Sequence, residues 1–173
     1  PCAVEIDSLG NLYIADKNNS CVRFLDAKTG IVSTLVGNQK GLVDGPFETA
    51  KFKEVFDLKL DSEERNLWLC DSGNKKIRKL DLKKRQVNTL ELSMEFQLPR
   101  GLVFDSRSSL LITDASTNAV YRIVLKRPLP WKVARLLWIG QMKEQTSTCN
   151  LTKLPRELIF VIIHIANDLP EAT

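Results

Sequence analysis

The feature that most constrains the fold of this chain is a short motif that occurs three times. Each copy has an apolar run that ends in Asp, followed by an Asn and then, four residues after the Asn, by an Arg. The copies are residues 12–16 with Asn19 and Arg23, residues 67–71 with Asn74 and Arg78, and residues 110–114 with Asn118 and Arg122. A repeat of this kind indicates equal supersecondary units stacked side by side.

Each copy predicts short strands separated by turns. In the first copy, alternating or apolar runs at 3–7, 12–15, 22–26 and 31–36 are separated by turns rich in Asp, Asn and Gly. The second copy has the same order, with runs at 58–60, 67–70, 77–80 and 87–90. Four antiparallel strands joined by tight turns make one blade of a β-propeller.

The recurring Asp and Asn residues are interpreted as turn residues, because their side chains bond nearby backbone groups. We expect Asp16, Asp71 and Asp114 in equivalent turns, each bonding backbone amides near its own Asn. By analogy with lost capping residues, Asp71→Ala is expected to cost about 0.5–2 kcal/mol and to cause no specific chemical defect. The longer connection at 37–46 predicts an exposed loop, where function is more often found than in blade cores.

These motifs resemble the NHL repeat over residues 2 to about 125. The link between the first two copies carries the matching residues Thr34-Leu35-Val36-Gly37, Asp44-Gly45-Pro46 and Ala50-Lys51-Phe52. The third copy departs by one extra residue between Asp114 and Asn118, and it has Leu125 at the Asp26 position. The resemblance implies a mainly β fold, a partial propeller of four-stranded antiparallel blades over residues 1–125, with the third blade incomplete.

Three blades cannot close a ring, because propellers have at least four. We therefore expect either a part of a longer propeller or association of partial rings through their open edges. The chain also starts within a repeat, which we interpret as a cut end.

After a basic, proline-containing linker at 126–130, the pattern changes. Apolar spacing at 131–144 and from Pro155 onwards predicts a small α-helical hairpin within residues 131–173, whose second helix buries Leu158, Ile162 and Ile165. One interpretation is that this hairpin covers the open edge of the last blade, since an exposed sheet edge has to be covered.

The segment from residue 154 also resembles the opening of an F-box, a helical motif that docks on an adaptor of cullin-type ubiquitin ligases. The resemblance rests on Leu154-Pro155-Arg156-Glu157-Leu158-Ile159 and Ile162. It implies adaptor docking through Leu154, Pro155, Leu158 and Ile162.

The net charge of +4 is unevenly distributed along the chain. A basic run at 75–85 contains candidate contacts to a protein partner or to RNA phosphates, namely Lys75, Lys76, Lys83, Lys84 and Arg85. The alternative is that these are outward positions of an edge hairpin, where lysine discourages sheet-to-sheet aggregation. Trp68 and Tyr121 are expected in the core, so stacking platforms for bases are not evident.

The sequence contains no recognisable catalytic or metal-binding motif. The chain has one histidine, His164, outside every repeat, so a multi-histidine zinc site is not expected. We predict no catalytic residues, metal or cofactor. The four cysteines form no C-x-x-C pair, and Cys70 is expected to be small and buried at a strand position. Free buried thiols favour a reducing compartment, so a cytoplasmic location is expected.

No apolar stretch is long enough to cross a bilayer, so no membrane partner is expected. The leading functional prediction is a non-enzymatic protein-interaction module that binds a protein partner with its propeller loop face. A role as a ubiquitin-ligase substrate receptor is an extension of this prediction. The alternative is an RNA-binding propeller that uses the 75–85 hairpin, and the third and least favoured class is an enzyme.

Overall fold

Three β-sheets, which we call blades 1, 2 and 3, make up the described part of the chain. The computed structural model describes residues 1–106 and 108–125, together with the backbone of residues 159–165. Blade 1 contains β1 (Ala3–Ile6), β2 (Leu12–Asp16), β3 (Cys21–Leu25) and β4 (Val32–Val36). Blade 2 contains β5 (Gly45–Pro46), β6 (Val55–Leu60), β7 (Asn66–Asp71), β8 (Lys76–Asp81) and β9 (Gln86–Thr89). Blade 3 contains β10 (Pro99–Phe104), β11 (Leu110–Asp114), β12 (Ala119–Leu125) and β13 (Ile159–Ile165).

The first two blades have the predicted antiparallel meander. Blade 1 has the strand order β1-β2-β3-β4, and blade 2 has β6-β7-β8-β9 with the two-residue strand β5 added outside β9. The mainly β, four-stranded prediction is confirmed for these blades. In the described part of the chain, no helix has the length and apolarity needed to cross a bilayer.

A second recurring Asp shapes the turn between the first two strands of each blade. In blade 1, the Asp7 carboxylate accepts hydrogen bonds from the amides of Leu9 and Asn11 at 3.0 and 2.8 Å. Asp61 and Asp105 occupy the same position in the other blades and also accept backbone amides. Local side-chain acceptors of this kind hold tight turns without help from the rest of the fold.

The blades pack face to face through their apolar side chains. Between blades 1 and 2, one face of blade 1 meets a leucine-rich face of blade 2; the buried residues include Tyr13, Ala15, Val22, Leu58, Leu67, Leu69 and Leu80. Between blades 2 and 3, the buried residues are Trp68, Cys70, Ile77, Phe96, Leu102, Leu110, Ile112 and Ile123. Because successive side chains along a strand point to opposite faces, blade 2 packs against blade 1 with one face and against blade 3 with the other.

The link between blades 1 and 2, residues 37–54, doubles back on itself. It leaves β4 at Gly37, whose φ of +75° suits glycine and where a Cβ would lie 2.8 Å from the carbonyl oxygen of Ser20. The chain then pairs Gly45 and Pro46 with β9 and returns, with Phe52 fully buried. The link therefore lies against blade 2 and contributes to the core between the two blades.

The other face of blade 1 is open. Val4 and Ile6 are 58% and 61% exposed, whereas Leu58 and Leu60, which hold the same register positions in blade 2, are 0% and 8% exposed. The difference arises because blade 1 covers this face of blade 2, while no described residue covers the same face of blade 1.

The prediction of a helix from Pro155 is wrong over the residues that the structure describes there. Residues 159–165 form β13, a strand parallel to β12 with Ile162 in register with Arg122. The physical reason is the composition of the segment, in which five of seven residues are β-branched and only His164 interrupts an apolar run, as is typical of parallel strands. The edge of β12 is thus covered by a paired strand and, over these residues, not by the predicted helical hairpin.

The third repeat itself supplies three antiparallel strands, and β13, from the segment after it, adds a parallel fourth strand to the sheet. The linker at 126–130, the helix at 131–144 and the start of the second helix at 155–158 lie outside the described residues. The predicted boundaries at 125 and 130 therefore stay predictions.

Val4 of blade 1 and Leu58 of blade 2 hold matched positions, but truncating each to Ala is predicted to lower the free energy of unfolding by different amounts. Leu58→Ala should lower the free energy of unfolding by about 2–5 kcal/mol, because it leaves a cavity between two blades. Val4→Ala, at the equivalent but open position, should cost less than about 1 kcal/mol. Urea unfolding followed by circular dichroism measures both. Equal losses would show that the open face is covered in solution.

Candidate functional site

The recurring Asp, Asn and Arg residues form a buried polar cluster in blade 2. The Asp71 carboxylate accepts hydrogen bonds from Arg78 Nη1 at 2.6 Å and from Asn74 Nδ2 at 2.9 Å. It also accepts the backbone amide of Lys53, in the link, at 2.7 Å. The side chains of Asp71 and Arg78 are both 0% exposed. This ion pair is buried and makes several hydrogen bonds, which is how charged groups are tolerated in a protein interior.

Arg78 also holds the link against blade 2. Its Nη2 donates to the carbonyl of Val43 at 2.9 Å and to the Asp44 carboxylate at 2.6 Å, and its Nη1 donates to the carbonyl of Lys51 at 3.1 Å. The guanidinium carbon lies 4.9 Å from the centre of the Phe52 ring, within the range of a cation–π contact. One side chain therefore contacts both the outgoing and the returning part of the link.

The equivalent cluster in blade 1 is solvated. Arg23 Nε lies 3.2 Å from the Asp16 carboxylate, and Asn19 donates to the same carboxylate at 2.9 Å. Arg23 Nη1 donates directly to the hydroxyl of Thr34. The Arg23 side chain is 36% exposed. The hydrogen bond from Asn19 and the charge of Arg23 lower the pKa of Asp16, against the opposing effect of burial.

Blade 3 has the same strand register as blade 2, but its motif Arg lies one residue later in the third strand. Ile112 pairs with Tyr121, whereas the equivalent Leu69 of blade 2 pairs with Arg78. The extra residue before Asn118 therefore puts Arg122 on the opposite face, because successive strand residues point to opposite faces. Arg122 pairs with Asp105, not with Asp114.

Tyr121 takes the position that Arg78 has in blade 2. Its ring meets Phe96 edge to face, with centroids 5.3 Å apart, in place of the cation–π contact in blade 2. Its hydroxyl lies 3.3 Å from the hydroxyl of Thr117, which holds the position of Asn74. Trp68 is buried as predicted, and Tyr121 is half-buried against the same core.

The three Asp residues that end the second strands do occupy equivalent turns, as predicted. The predicted bonds to backbone amides near the Asn occur only at Asp114, which accepts the amides of Ser116 and Thr117 at 3.0 and 3.3 Å. Asp16 and Asp71 instead accept the side chain of their own Asn. The amides that reach Asp71 and Asp114 from further away belong to the links that precede β6 and β10.

The link presents an exposed apolar tip on the loop face, the end of the blades that carries the turns from β2 to β3 and from β7 to β8. Leu42 is 50% exposed and Val43 is 40% exposed. The backbone on either side of Leu42 is held, since Asn74 Nδ2 donates to the carbonyl of Gly41 at 2.7 Å and Arg78 to that of Val43. We call Leu42 and Val43 the link tip.

A shallow groove of about 220 Å³ runs beside β4. Residues 34–38 line one wall, and Phe47, Glu48 and Arg85 line the other. Arg85 lies over the Phe47 ring at 5.0 Å and bonds the Glu48 carboxylate at 3.0 Å. The backbone amide of Glu48 itself and Arg85 lower the pKa of the Glu48 carboxyl.

The structure separates the predicted basic contacts into two groups. Lys75 and Lys76 lie at the start of β8 on the loop face, where Lys75 Nζ bonds Gln97 Oε1 at 2.9 Å. Lys83, Lys84 and Arg85 lie in the turn after the other end of β8, and all three are exposed. A strand of six residues spans about 20 Å, so these side chains do not form one continuous patch.

The predicted adaptor-docking residues Leu154, Pro155 and Leu158 lie outside the described residues. The fourth, Ile162, lies in β13. The sequence repeat did not identify Leu42 and Val43 as a contact surface, although the longer connection at 37–46 predicted the exposed loop that carries them.

Within the described residues, no group of three or more His, Cys, Asp or Glu side chains is placed to hold a metal ion. Three described cysteines, Cys2, Cys21 and Cys70, are free thiols, and Cys70 is fully buried as predicted. Burial raises the pKa of the Cys70 thiol well above its ordinary value. Such a thiol stays protonated and is a poor nucleophile. Cys149 lies outside the described residues.

The chain is similar in sequence to NHL repeat-containing protein 2. It is 33% identical to the Gallus gallus protein over 176 residues, which cover 84% of this chain and 24% of that protein. The Homo sapiens protein is 33% identical over 134 residues, covering 65% of this chain and 18% of that protein. The chain therefore spans about a quarter or less of the length of these curated relatives. No family model matches the chain.

Solved structures with a similar fold include an enzyme and a chain from a protein complex. Virginiamycin B lyase from Staphylococcus aureus has a TM-score of 0.55 at 15% identity, covering 72% of this chain and 38% of that one. A chain of the nidogen/laminin complex has a TM-score of 0.53 at 20% identity, covering 71% of this chain and 42% of that one. At these identities the likeness shows the fold alone. Together with the sequence relatives, it supports an NHL-type repeat family and a propeller-like fold.

The burial of the cluster in blade 2 predicts a larger effect of Asp71→Ala than the sequence motif did. The variant removes one of the two carboxylates that pair with the fully buried guanidinium and leaves Asp44 as the other, which should cost about 2–4 kcal/mol. The matched variant Asp16→Ala, whose Arg is solvated, should cost about 0.5–2 kcal/mol. Urea unfolding of both variants measures the difference. Equal losses would contradict the role given to burial.

The hydrogen bonds to Asp114 predict that the free energy of unfolding depends on pH. Burial alone would raise the pKa of this carboxyl, but hydrogen bonds from the amides of Gln97, Leu98, Ser116 and Thr117 outweigh it and lower the pKa. A lowered pKa in the folded state means that the carboxylate stabilises the fold above the pKa of the unfolded chain. This stabilisation is lost as the pH falls through the lower, folded pKa.

Asp114→Asn should therefore lower the free energy of unfolding by about 1–3 kcal/mol at neutral pH, because one carbonyl replaces a carboxylate that accepts four amides. The gap to the unsubstituted chain should narrow as the pH falls below about 4, where the Asp of the unfolded chain becomes protonated, and should close below the lower pKa of the folded state. Urea titrations at a series of pH values measure this gap. A gap that stays constant throughout the acid range would show that the charge of Asp114 does not contribute.

Proposed function

We propose that this NHL-type propeller part is a non-enzymatic protein-interaction module whose loop face binds a protein partner. The observation that carries the proposal is the link tip. Leu42 and Val43 are exposed apolar side chains on a backbone held from both sides by Asn74 and Arg78. A rigid, exposed apolar contact suits protein binding, because little conformational entropy is lost when the partner docks.

The surroundings of the link tip favour a partner with apolar and acidic groups. The basic side chains Lys75 and Lys76 lie on the same face of the module. Apolar anchors surrounded by charged side chains are typical of interface centres and rims. The similarity to NHL repeat proteins supports this coarse function, and the identity of the partner stays a prediction.

RNA binding and a substrate-receptor role are narrower predictions. RNA binding through the 75–85 hairpin stays a prediction, and the separation of its basic side chains into two groups offers it no added support. The substrate-receptor role rests on residues 154–158, which lie outside the described residues. The free thiols fit a reducing compartment, and we propose the cytoplasm as the location.

Site-directed photo-crosslinking tests the proposal. A photoreactive phenylalanine analogue is placed at position 42, or at the control position 9, where Leu9 is 81% exposed at the opposite end of blade 1. We expect specific protein adducts from position 42 and none from position 9. Adding an excess of the unsubstituted chain should suppress the adducts, because it competes for the partner.

A second variant separates binding by the link tip from nonspecific capture. Leu42→Asp in the competitor chain should abolish its ability to suppress the adducts, because a charge replaces the apolar anchor. If the competitor with Leu42→Asp suppresses the adducts as well as the unsubstituted chain, or if position 9 gives the same adducts, the proposal is wrong.

A further inference from the structure

A half-buried phenylalanine on the loop face holds two cations. The Nζ of Lys17, in the turn after β2 of blade 1, lies 5.2 Å from the centre of the Phe56 ring in β6. The guanidinium carbon of Arg100, in β10 of blade 3, lies 4.9 Å from the centre of the same ring. We call Lys17, Phe56 and Arg100 the Phe56 cluster. All three blades contribute one residue to it.

Two members of the Phe56 cluster lie where the strand pairing is irregular. The register shifts at residues 55–58 of β6 and at residues 99–101 of β10, so that Phe56 and Arg100 have no partner in the neighbouring strand. Bulges of this kind redirect a side chain at the end of a strand, and they are frequent beside functional sites. In blade 1, β1 pairs with β2 without such a shift. The two bulges therefore account for the meeting of these side chains on the loop face.

The positive charges of the cluster are only weakly neutralised by the described residues. Arg100 is exposed and forms no ion pair with any residue that the structure describes. The Nζ of Lys17 lies 3.9 Å from the Glu54 carboxylate, and these side chains are 35% and 44% exposed. An exposed contact of this length contributes little. The carboxylate of Asp57, next to Phe56, accepts two backbone amides at 2.9 and 2.8 Å and is occupied by them.

The ring positions both cations before a ligand binds. Phe56 packs against the core between blades 2 and 3, so the ring itself is held in place. The side chains of Lys and Arg lose conformational freedom on binding, and a cation–π contact removes part of that cost in advance. Two positive charges on one ring repel each other, and a bound anion relieves this repulsion. The cluster therefore favours a ligand with negative charge.

The surroundings favour carboxylates over a nucleic-acid strand. Single-stranded nucleic acids are bound by aromatic rings on which bases stack and by a groove of cations that follows the backbone. The Phe56 ring is already occupied by its two cations, and the nearby Lys75 bonds Gln97. A planar guanidinium such as that of Arg100 matches a carboxylate with two parallel hydrogen bonds.

The Phe56 cluster and the link tip lie on the same face of blade 2. The carbonyl of Lys53, three residues before Phe56, accepts the amide of Gly73 at 2.8 Å. In the same turn, the side chain of Asn74 bonds the carbonyl of Gly41, beside the link tip, at 2.7 Å. One short turn thus connects the two surfaces, and a single folded partner is large enough to contact both.

We propose that the Phe56 cluster is a carboxylate-binding site that receives an acidic segment of the protein partner. One carboxylate of that segment binds the guanidinium of Arg100, and a neighbouring carboxylate binds the ammonium group of Lys17. The inference rests on the proposed function, because it specifies the chemistry of the partner that docks on the loop face.

A short acidic peptide is the probe for this site. A tetrapeptide with two central glutamates and blocked ends is titrated into the ¹⁵N-labelled full chain, and its matched control has glutamines in their place. We expect amide shift changes at Lys17, Phe56 and Arg100 with the acidic peptide. The glutamine peptide should bind about tenfold more weakly, because both ion pairs are lost. Added salt should weaken binding of the acidic peptide, since exposed charges are screened.

Chain variants provide the matched controls. Arg100→Gln should weaken binding of the acidic peptide about three- to fivefold, the effect of one exposed ion pair. Arg65→Gln removes an arginine that is 74% exposed at the opposite end of blade 2, and it should leave binding unchanged. Phe56→Leu keeps an apolar side chain but removes the ring, so it should weaken binding as well. The comparison of the two peptides needs no variant, so it decides the question even if Phe56→Leu fails to fold.

The same variants distinguish a failure of this inference from a failure of the proposed function. Leu42→Asp should leave peptide binding unchanged, whereas Arg100→Gln in the competitor chain should reduce its ability to suppress the adducts from position 42. If adducts form and the Arg100→Gln competitor suppresses them fully, the proposed function holds and this inference is wrong. If position 42 gives no adducts while the acidic peptide binds as expected, the proposed function is wrong and carboxylate binding by the cluster holds.

Three outcomes of the titrations would overturn the proposal. They are no shift changes at millimolar acidic peptide, equal binding of the two peptides, or tighter binding at the same resonances by an oligouridylate with the same number of charges as the acidic peptide. The last outcome would assign the cluster to single-stranded nucleic acid.

Discussion

The buried guanidinium of Arg78 is the group on which the arrangement of blade 2 and its link depends. A cation without access to water needs acceptors, because an unpaired buried charge is strongly unfavourable. Both Nη atoms of Arg78 have acceptors, whereas its buried Nε has none among the described residues. Asp71 supplies one acceptor from the blade itself, and the link supplies Asp44 and two carbonyls. The path of the link is therefore set by the need to surround this one side chain. The placement of Leu42 and Val43 on the loop face follows from that path.

The same strand position has three different environments in the three blades. It holds a solvated Arg23 in blade 1, a buried Arg78 in blade 2 and Tyr121 in blade 3. In blades 2 and 3 the position packs against the phenylalanine of the preceding link, either through a cation–π contact or edge to face. The residue at this one position of the repeat thus contacts the preceding link in blades 2 and 3. In blade 1 it is solvated.

Two surfaces of different character result from this arrangement. The link tip is a small apolar projection on an anchored backbone, suited to contact a partner that already has its own fold. The face of blade 1 that carries Arg23 is a sheet surface with a partly exposed arginine.

The sequence by itself determined the strands, the turns and the order of the blades. These depend on alternation along a strand and on Asp side chains that bond within a few residues of themselves, as at Asp7 and Asp61. Only the tertiary structure decided that Arg78 is buried while Arg23 is solvated, because the two have the same local sequence and differ in what packs on them. It also decided that residues 159–165 form a strand, since a short apolar run fits a helix or a buried strand equally well until its neighbours are known.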